Sequence, residues 1–100
     1  MSLGEKLARG VARHDELAHL MAAGDAGRDF ARLAKEYADL GPVVQAIGDL
    51  RRARAELDGL EALMKDTGAE AEMRKMAESE YFVLKERLPE AEKKVRLLLL

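Results

Sequence analysis

PVVQAIGDLRRARAELDGLEALMKDTGAEAEMRKMAESEYFVLKERLPEAEKKVRLLLL, the stretch from Pro42 to Leu100, decides the fold. Within it Val43, Leu50, Leu57 and Met64 form one row, and Ala46, Ala53 and Leu60 form the next. Taken together they alternate in steps of three and four, the seam of a helix that packs lengthwise on another. Beyond a break at Lys65–Ala69 the pattern returns in Ala77, Tyr81, Leu84, Leu88, Ala91, Val95 and Leu98. Neither stripe is stable in water, and each is the nearest cover for the other. The spacing predicts an antiparallel helical hairpin on which everything before Pro42 leans.

Working outward, the sequence predicts four helices, over about residues 3–23, 28–40, 42–65 and 69–98. The first presents Leu3, Leu7, Gly10, His14, Leu17 and Met21 on one face, flanked by Val11 and Ala18. Gly10 weakens it by roughly 1 kcal/mol relative to Ala unless another helix approaches closely there. Gly24-Asp25-Ala26-Gly27 ends it, with Gly24 placed for a left-handed cap. Phe30, Leu33, Tyr37 and Leu40 form the face of the second, and Gly41-Pro42 reads as the boundary before the third. Asp66-Thr67-Gly68 breaks the hairpin, and Thr67 with Glu70 has the form of a capping box for the fourth helix. Pro89 costs that helix about 3 kcal/mol, yet the apolar phase runs through it from Leu84 to Val95, so one kinked helix is expected. Glu61/Lys65, Glu70/Arg74, Glu90/Lys94 and Glu92/Arg96 have the acid-first spacing that supports exposed helix faces.

Composition agrees with this class. The apolar residues are 48% of 100 and consist largely of Ala, Leu and Met, with two Tyr, two Phe and no Trp. Charged residues are 36% and the net charge is −2, so neither half argues for unaided nucleic-acid binding. The length suits one domain with a single core. No cysteine is present, which excludes disulfides and thiolate metal sites and fits a reducing compartment. No apolar run reaches the roughly 18–20 residues of a membrane span, and no signal peptide opens the chain, which reads as soluble and cytoplasmic.

Catalytic chemistry finds little support. His14 lies on an apolar helix face, where a satisfied core or boundary histidine is the reading, and His19 lies off that face. Five residues apart, the two point in different directions, unlike a metal-binding pair at four. Ser2, Thr67 and Ser79 are the hydroxyl residues, and none has a base set beside it by spacing. Gly24 to Gly27 follows a helix, not a strand, and is a turn rather than a phosphate loop. Glu-x-x-His occurs once, at Glu16 to His19, without the second copy that such a site takes from another helix, against an enzyme of the helical-bundle type. Arg51, Arg52 and Arg54 are the densest positive charge, followed by Lys93, Lys94 and Arg96. They read either as a solvated face or as phosphate contacts within a larger assembly. Met64, Met73 and Met76 near the hairpin turn are core filler or an adaptable docking surface. Of the terminal leucines only Leu98 falls on the seam. Leu97, Leu99 and Leu100 therefore form an interdomain or self-association surface, each worth about 1.5–3 kcal/mol if buried.

Glu36-Tyr37-Ala38-Asp39-Leu40 followed by Val43-Val44, Met73 to Glu80, and Arg96-Leu97-Leu98-Leu99-Leu100 together resemble the amino-terminal domain of bacterial class I peptide chain release factors. The leucine run and the Glu-Tyr-Ala segment favour the release factor 1 type over release factor 2. In that family a Pro-Lys-Asp segment typically follows the leucine run into the next domain, so the resemblance implies an amino-terminal fragment of a longer protein. The chain departs from the family at its hairpin turn, where Asp66-Thr67-Gly68-Ala69 replaces an Asp-Pro pair. The Gly-Gly-Gln loop of peptidyl-tRNA hydrolysis and the Pro-x-Thr stop-codon reader are absent.

The resemblance thus implies a ribosome-docking domain acting in stop-codon-dependent termination, not an enzyme, with no cofactor. It also implies the factor-binding region of the large ribosomal subunit and a GTPase release factor as partners. The arginine cluster and the turn residues Asp66, Thr67 and Gly68 are the candidate contacts, chosen on position alone. The heptads by themselves support an alternative, a free-standing coiled-coil adaptor or oligomerisation module.

Overall fold

The computed structural model describes residues 1–24 and 27–100. Three α-helices account for nearly all of them: α1 (Leu3–Ala22), α2 (Phe30–Lys65) and α3 (Ala71–Leu98), with a 3-10 turn at Gly27–Asp29 ahead of α2. No strand occurs among the described residues, and the class is all-α, as the periodicity requires.

Helix α1 starts at Ser2, whose hydroxyl accepts the Glu5 N–H at 3.1 Å and donates to the Glu5 carboxylate at 3.2 Å. This reciprocal serine–glutamate pairing supplies a cap that hydropathy alone does not register. The helix ends with Gly24 at φ 73°, the expected left-handed residue. Asp25 and Ala26, the rest of the expected turn, lie outside the described residues.

The expected boundary at Gly41-Pro42 is not there. Helix α2 runs from Phe30 to Lys65 with Pro42 inside it, so two expected helices are one. Three physical facts permit this. Gly41 lacks the Cβ that a following proline ring would crowd. Pro42 and Ala38, whose carbonyl loses its N–H partner, are both exposed, so water can take the lost bond. Most decisively, Leu33, Tyr37, Leu40, Val43 and Ile47 keep one phase across the proline, and all are buried or half-buried. Burying a large apolar side chain is worth about 1.5–3 kcal/mol, so several of them outweigh a proline penalty of about 3 kcal/mol. Pro89 likewise lies inside a single helix, α3.

The chain divides into two compact units, Met1–Ile47 with Val95–Leu100, and Gly48–Lys94. The first contains α1, the start of α2 and the end of α3, and its core is Leu7, Leu17, Leu33, Val43, Ala46, Ile47 and Val95. Gly10 lies beside Ile47, but an added Cβ would sit 3.8 Å from that side chain, an ordinary contact. No close approach requires the glycine. Arg13 on α1 grips Glu36 on α2 through two nitrogens, Nη2 to Oε2 at 2.6 Å and Nε to Oε2 at 3.0 Å. Beside them the His14 ring stacks on Tyr37, centroids 4.3 Å apart, which makes His14 the packed boundary histidine its position implied. Phe30, expected on the apolar face of this segment, is instead exposed, because it is the first residue of α2.

The second unit is the hairpin itself. Leu50 and Ala77 are buried, and Ala53, Leu57, Leu60, Met64, Tyr81, Leu84, Leu88 and Ala91 are half-buried. Those are the seam positions read from the spacing. Glu61 and Lys65 form the expected ion pair at 2.8 Å.

Pro42→Ala should restore the missing bond to Ala38 and stabilise the protein by about 1–3 kcal/mol. A lower denaturation midpoint would show that the helix needs its proline. The bidentate Arg13 guanidinium holds the Glu36 carboxyl below the ordinary 4.5. Its contribution is therefore complete above that value and is lost as pH falls through the depressed one. Denaturant melts between about pH 5 and pH 3 should show Glu36→Gln losing less stability on acidification than the parent chain. Equal losses would mean the pair contributes nothing.

Candidate functional site

All of the expected contact residues other than the leucines lie in the Gly48–Lys94 unit. Arg51, Arg52 and Arg54 are exposed on α2, but they are not equivalent. Arg52 turns back to Asp49, forming an ion pair. Its guanidinium occupies the space beside Gly48, where an added Cβ would stand only 3.2 Å from Nη1. Arg51 and Arg54, three apart and so on one face, make no ion pair among the described residues. Two cations, rather than three, are open to an anion.

The turn is built by Asp66. Its carboxylate accepts the Gly68 N–H at 2.9 Å and its carbonyl accepts the Ala69 N–H at 3.2 Å, a short side-chain-closed turn. Thr67 is not the cap expected of it. Helix α3 begins at Ala71, and the Glu70 carbonyl accepts the Arg74 N–H at 3.1 Å, which leaves Thr67 too far upstream to cap. Asp66, Thr67 and Gly68 are all exposed. From Arg54 to Asp66 the helix rises about 18 Å at 1.5 Å per residue, so the arginines and the turn are separate features of one hairpin.

The terminal leucines lie in the first unit. Leu97 and Leu100 are exposed, as expected, and so is Leu98 at 39%, although the spacing put it on the seam. Leu99 takes that place: it follows the fully buried Val95 by four, and its N–H donates to the Val95 carbonyl at 3.1 Å. With Leu3, Lys6, Arg96 and Leu100 it lines a notch of about 210 Å³.

Of the three methionines near the turn, Met64 is half-buried on the seam, whereas Met73 and Met76 stand exposed and belong to a longer edge that the spacing of the seam did not single out. Met73 and Met76 are 47% and 58% exposed, and Val83 on the same edge of α3 is 50% exposed. A groove of about 380 Å³ runs beside that edge, lined by Glu56 from α2 and by Ser79, Glu80, Val83, Leu84 and Arg87 from α3. The signal was a second three-four spacing (Met73, Met76, Glu80, Val83, Arg87), hidden because charged residues interrupt it. Among the described residues no group of three or more His, Asp or Glu side chains is arranged to hold a metal ion. Nor, among the described residues, is any helix long and apolar enough to cross a membrane.

Comparison with known proteins matches residues 11–100 to the PCRF domain. Peptide chain release factor 1 of Rhodospirillum rubrum is 48% identical over an alignment covering 100% of this chain and 27% of that protein. The same factor of Dinoroseobacter shibae is 48% identical, covering 96% of the chain and 26% of the relative. That of Gluconacetobacter diazotrophicus is 40% identical over 100% and 27%. The chain therefore spans about a quarter of the length of the curated relatives it matches. No solved structure matches.

Proposed function

Because the chain belongs to the PCRF-domain family and corresponds to the amino-terminal part of peptide chain release factor 1, we propose that it is the ribosome-docking domain of a factor acting in stop-codon-dependent translation termination. The observation that carries this reading is the family match over residues 11–100, which spans both compact units rather than one helix or one seam. In this reading the chain is a non-enzymatic amino-terminal part of a longer cytoplasmic protein. Neither a Gly-Gly-Gln nor a Pro-x-Thr sequence occurs in it, so hydrolysis and codon reading fall to residues outside it. Its partners are the factor-binding region of the large ribosomal subunit and a GTPase release factor.

The unpaired Arg51 and Arg54 supply the contact with ribosomal RNA phosphates, and the Asp66–Gly68 turn meets the protein part of the same region. Leu97 and Leu100, exposed at the end of α3, face a following domain when one is present and a second copy when it is not.

Co-sedimentation with purified ribosomal subunits tests the docking. The chain should pellet with large but not small subunits. Arg51→Glu with Arg54→Glu should weaken that binding about tenfold and flatten its salt dependence by about one unit of slope per arginine. Equal pelleting with both subunits, or with neither, overturns the reading.

Sedimentation velocity across a wide concentration range addresses the leucines. Weak self-association should appear at high concentration and vanish in Leu97→Lys with Leu100→Lys, at unchanged helicity. A strict monomer, or association indifferent to the double substitution, removes that role.

A further inference from the structure

The hairpin unit carries a second apolar edge that its own seam does not use. Along α3, Met73, Met76, Glu80, Val83 and Arg87 follow one another in steps of three, four, three and four, the spacing of a line that receives another helix. Its three apolar members are each about half exposed. Methionine at an exposed helix edge suits binding, because its unbranched chain adapts to a partner's shape. Beside this edge runs the groove walled by Glu56 of α2 and by Glu80 of α3, with Val83 and Leu84 forming its apolar floor. Neither glutamate has an ion-pair partner among the described residues. Both carboxylates are open to a cation brought from outside.

Apolar floor and opposed acids together specify the occupant. The two glutamates outnumber Arg87, the one cation among the described residues that line the groove, so the groove disfavours nucleic acid and anionic lipid. A second copy laid antiparallel on the same edge would set Glu80 against Glu80, since that residue sits near the middle of the line. A helix with apolar residues every three or four positions and lysine or arginine beside them satisfies both features at once. The edge from Met73 to Arg87 is about 21 Å long at 1.5 Å per residue, room for roughly four turns of such a helix.

We infer that the Met73–Arg87 edge of α3, with Glu56 across the groove, is a docking site for a short basic amphipathic helix of a partner protein. It is a different surface from the Arg51/Arg54 face, and its test contains no ribosome, so it stands or falls apart from the docking role. Its small area makes the contact a transient one.

The test titrates the intact 100-residue chain with a synthetic amphipathic helix bearing leucine on one face and lysine on its flanks. A control peptide carries glutamate in place of lysine. Fluorescence anisotropy gives the affinity, and amide NMR shifts give the location. The lysine peptide should bind and shift resonances along residues 73–87. Glu56→Lys with Glu80→Lys should weaken it at least tenfold, as should Val83→Asp. Asp58→Lys with Glu78→Lys, the same charge change elsewhere on the hairpin, should leave affinity within about twofold. Circular dichroism establishes that each variant is folded.

Equal binding of the glutamate peptide, equal loss in the two charge-reversed doubles, or no binding of the lysine peptide overturns the inference. Self-association of the parent chain that disappears in Met76→Lys would overturn it in favour of a second copy.

Discussion

The apolar stripe of α2 is the constraint to which the other segments answer. It begins at Leu33, passes Pro42 without losing phase, and continues through Leu50 and Leu57 to Met64. Within the first unit, buried Leu7 and Leu17 of α1 and Val95 of α3 share the core with Leu33, Val43, Ala46 and Ile47. Within the second, Ala77 and the half-buried Tyr81, Leu84 and Leu88 of α3 serve the rest. An isolated helix of ordinary propensity is marginal in water, so covering this stripe is what keeps α2 formed. The Arg13–Glu36 bridge and the His14–Tyr37 stack add orientation to that apolar cover.

Most of this was legible because buried positions announce themselves by period. The hairpin seam and the face of α1 follow from spacing, and only residues near helix ends, Phe30 and Leu98, depart from it. The one large misreading concerned Gly41-Pro42, where local chemistry and tertiary burial disagree. Glycine followed by proline is a strong stop signal, whereas the stripe through Leu40, Val43 and Ile47 is a continuation signal. Continuity of phase reads correctly through Pro89, and the same test applied at Pro42 would have joined the two helices. The turn was harder, because Asp66 and Thr67 are both competent capping residues. Which one closes a turn depends on where the next helix begins, and that is set by packing beyond the turn.

The functional surfaces were legible only as positions. Arg51, Arg52 and Arg54 form a dense cluster in sequence, but nothing in the string says that Arg52 folds over Gly48 onto Asp49. Exposed residues have no core to fix their register, so pairing of this kind emerges only in three dimensions. The groove between Glu56 and Glu80 is a stronger instance, since its walls lie on different helices. Family membership enters from a different direction: it assigns the chain its relatives without saying which of these surfaces a partner touches.

The location of sulfur in this protein separates two kinds of damage. No methionine is among the fully buried residues, which are leucine, valine, isoleucine and alanine, and Met21 and Met64 are only half-buried. Met1, Met73 and Met76 stand in the open, the last two near the hairpin turn, and oxidants reach these three before the half-buried Met21 and Met64. Conversion to sulfoxide would make that edge polar and chiral while leaving the interior chemically intact. A sample aged in air would thus keep its helicity and its melting curve while the surface of α3 changed character. For this chain, a spectrum of a well-folded protein is no evidence of an unoxidised one.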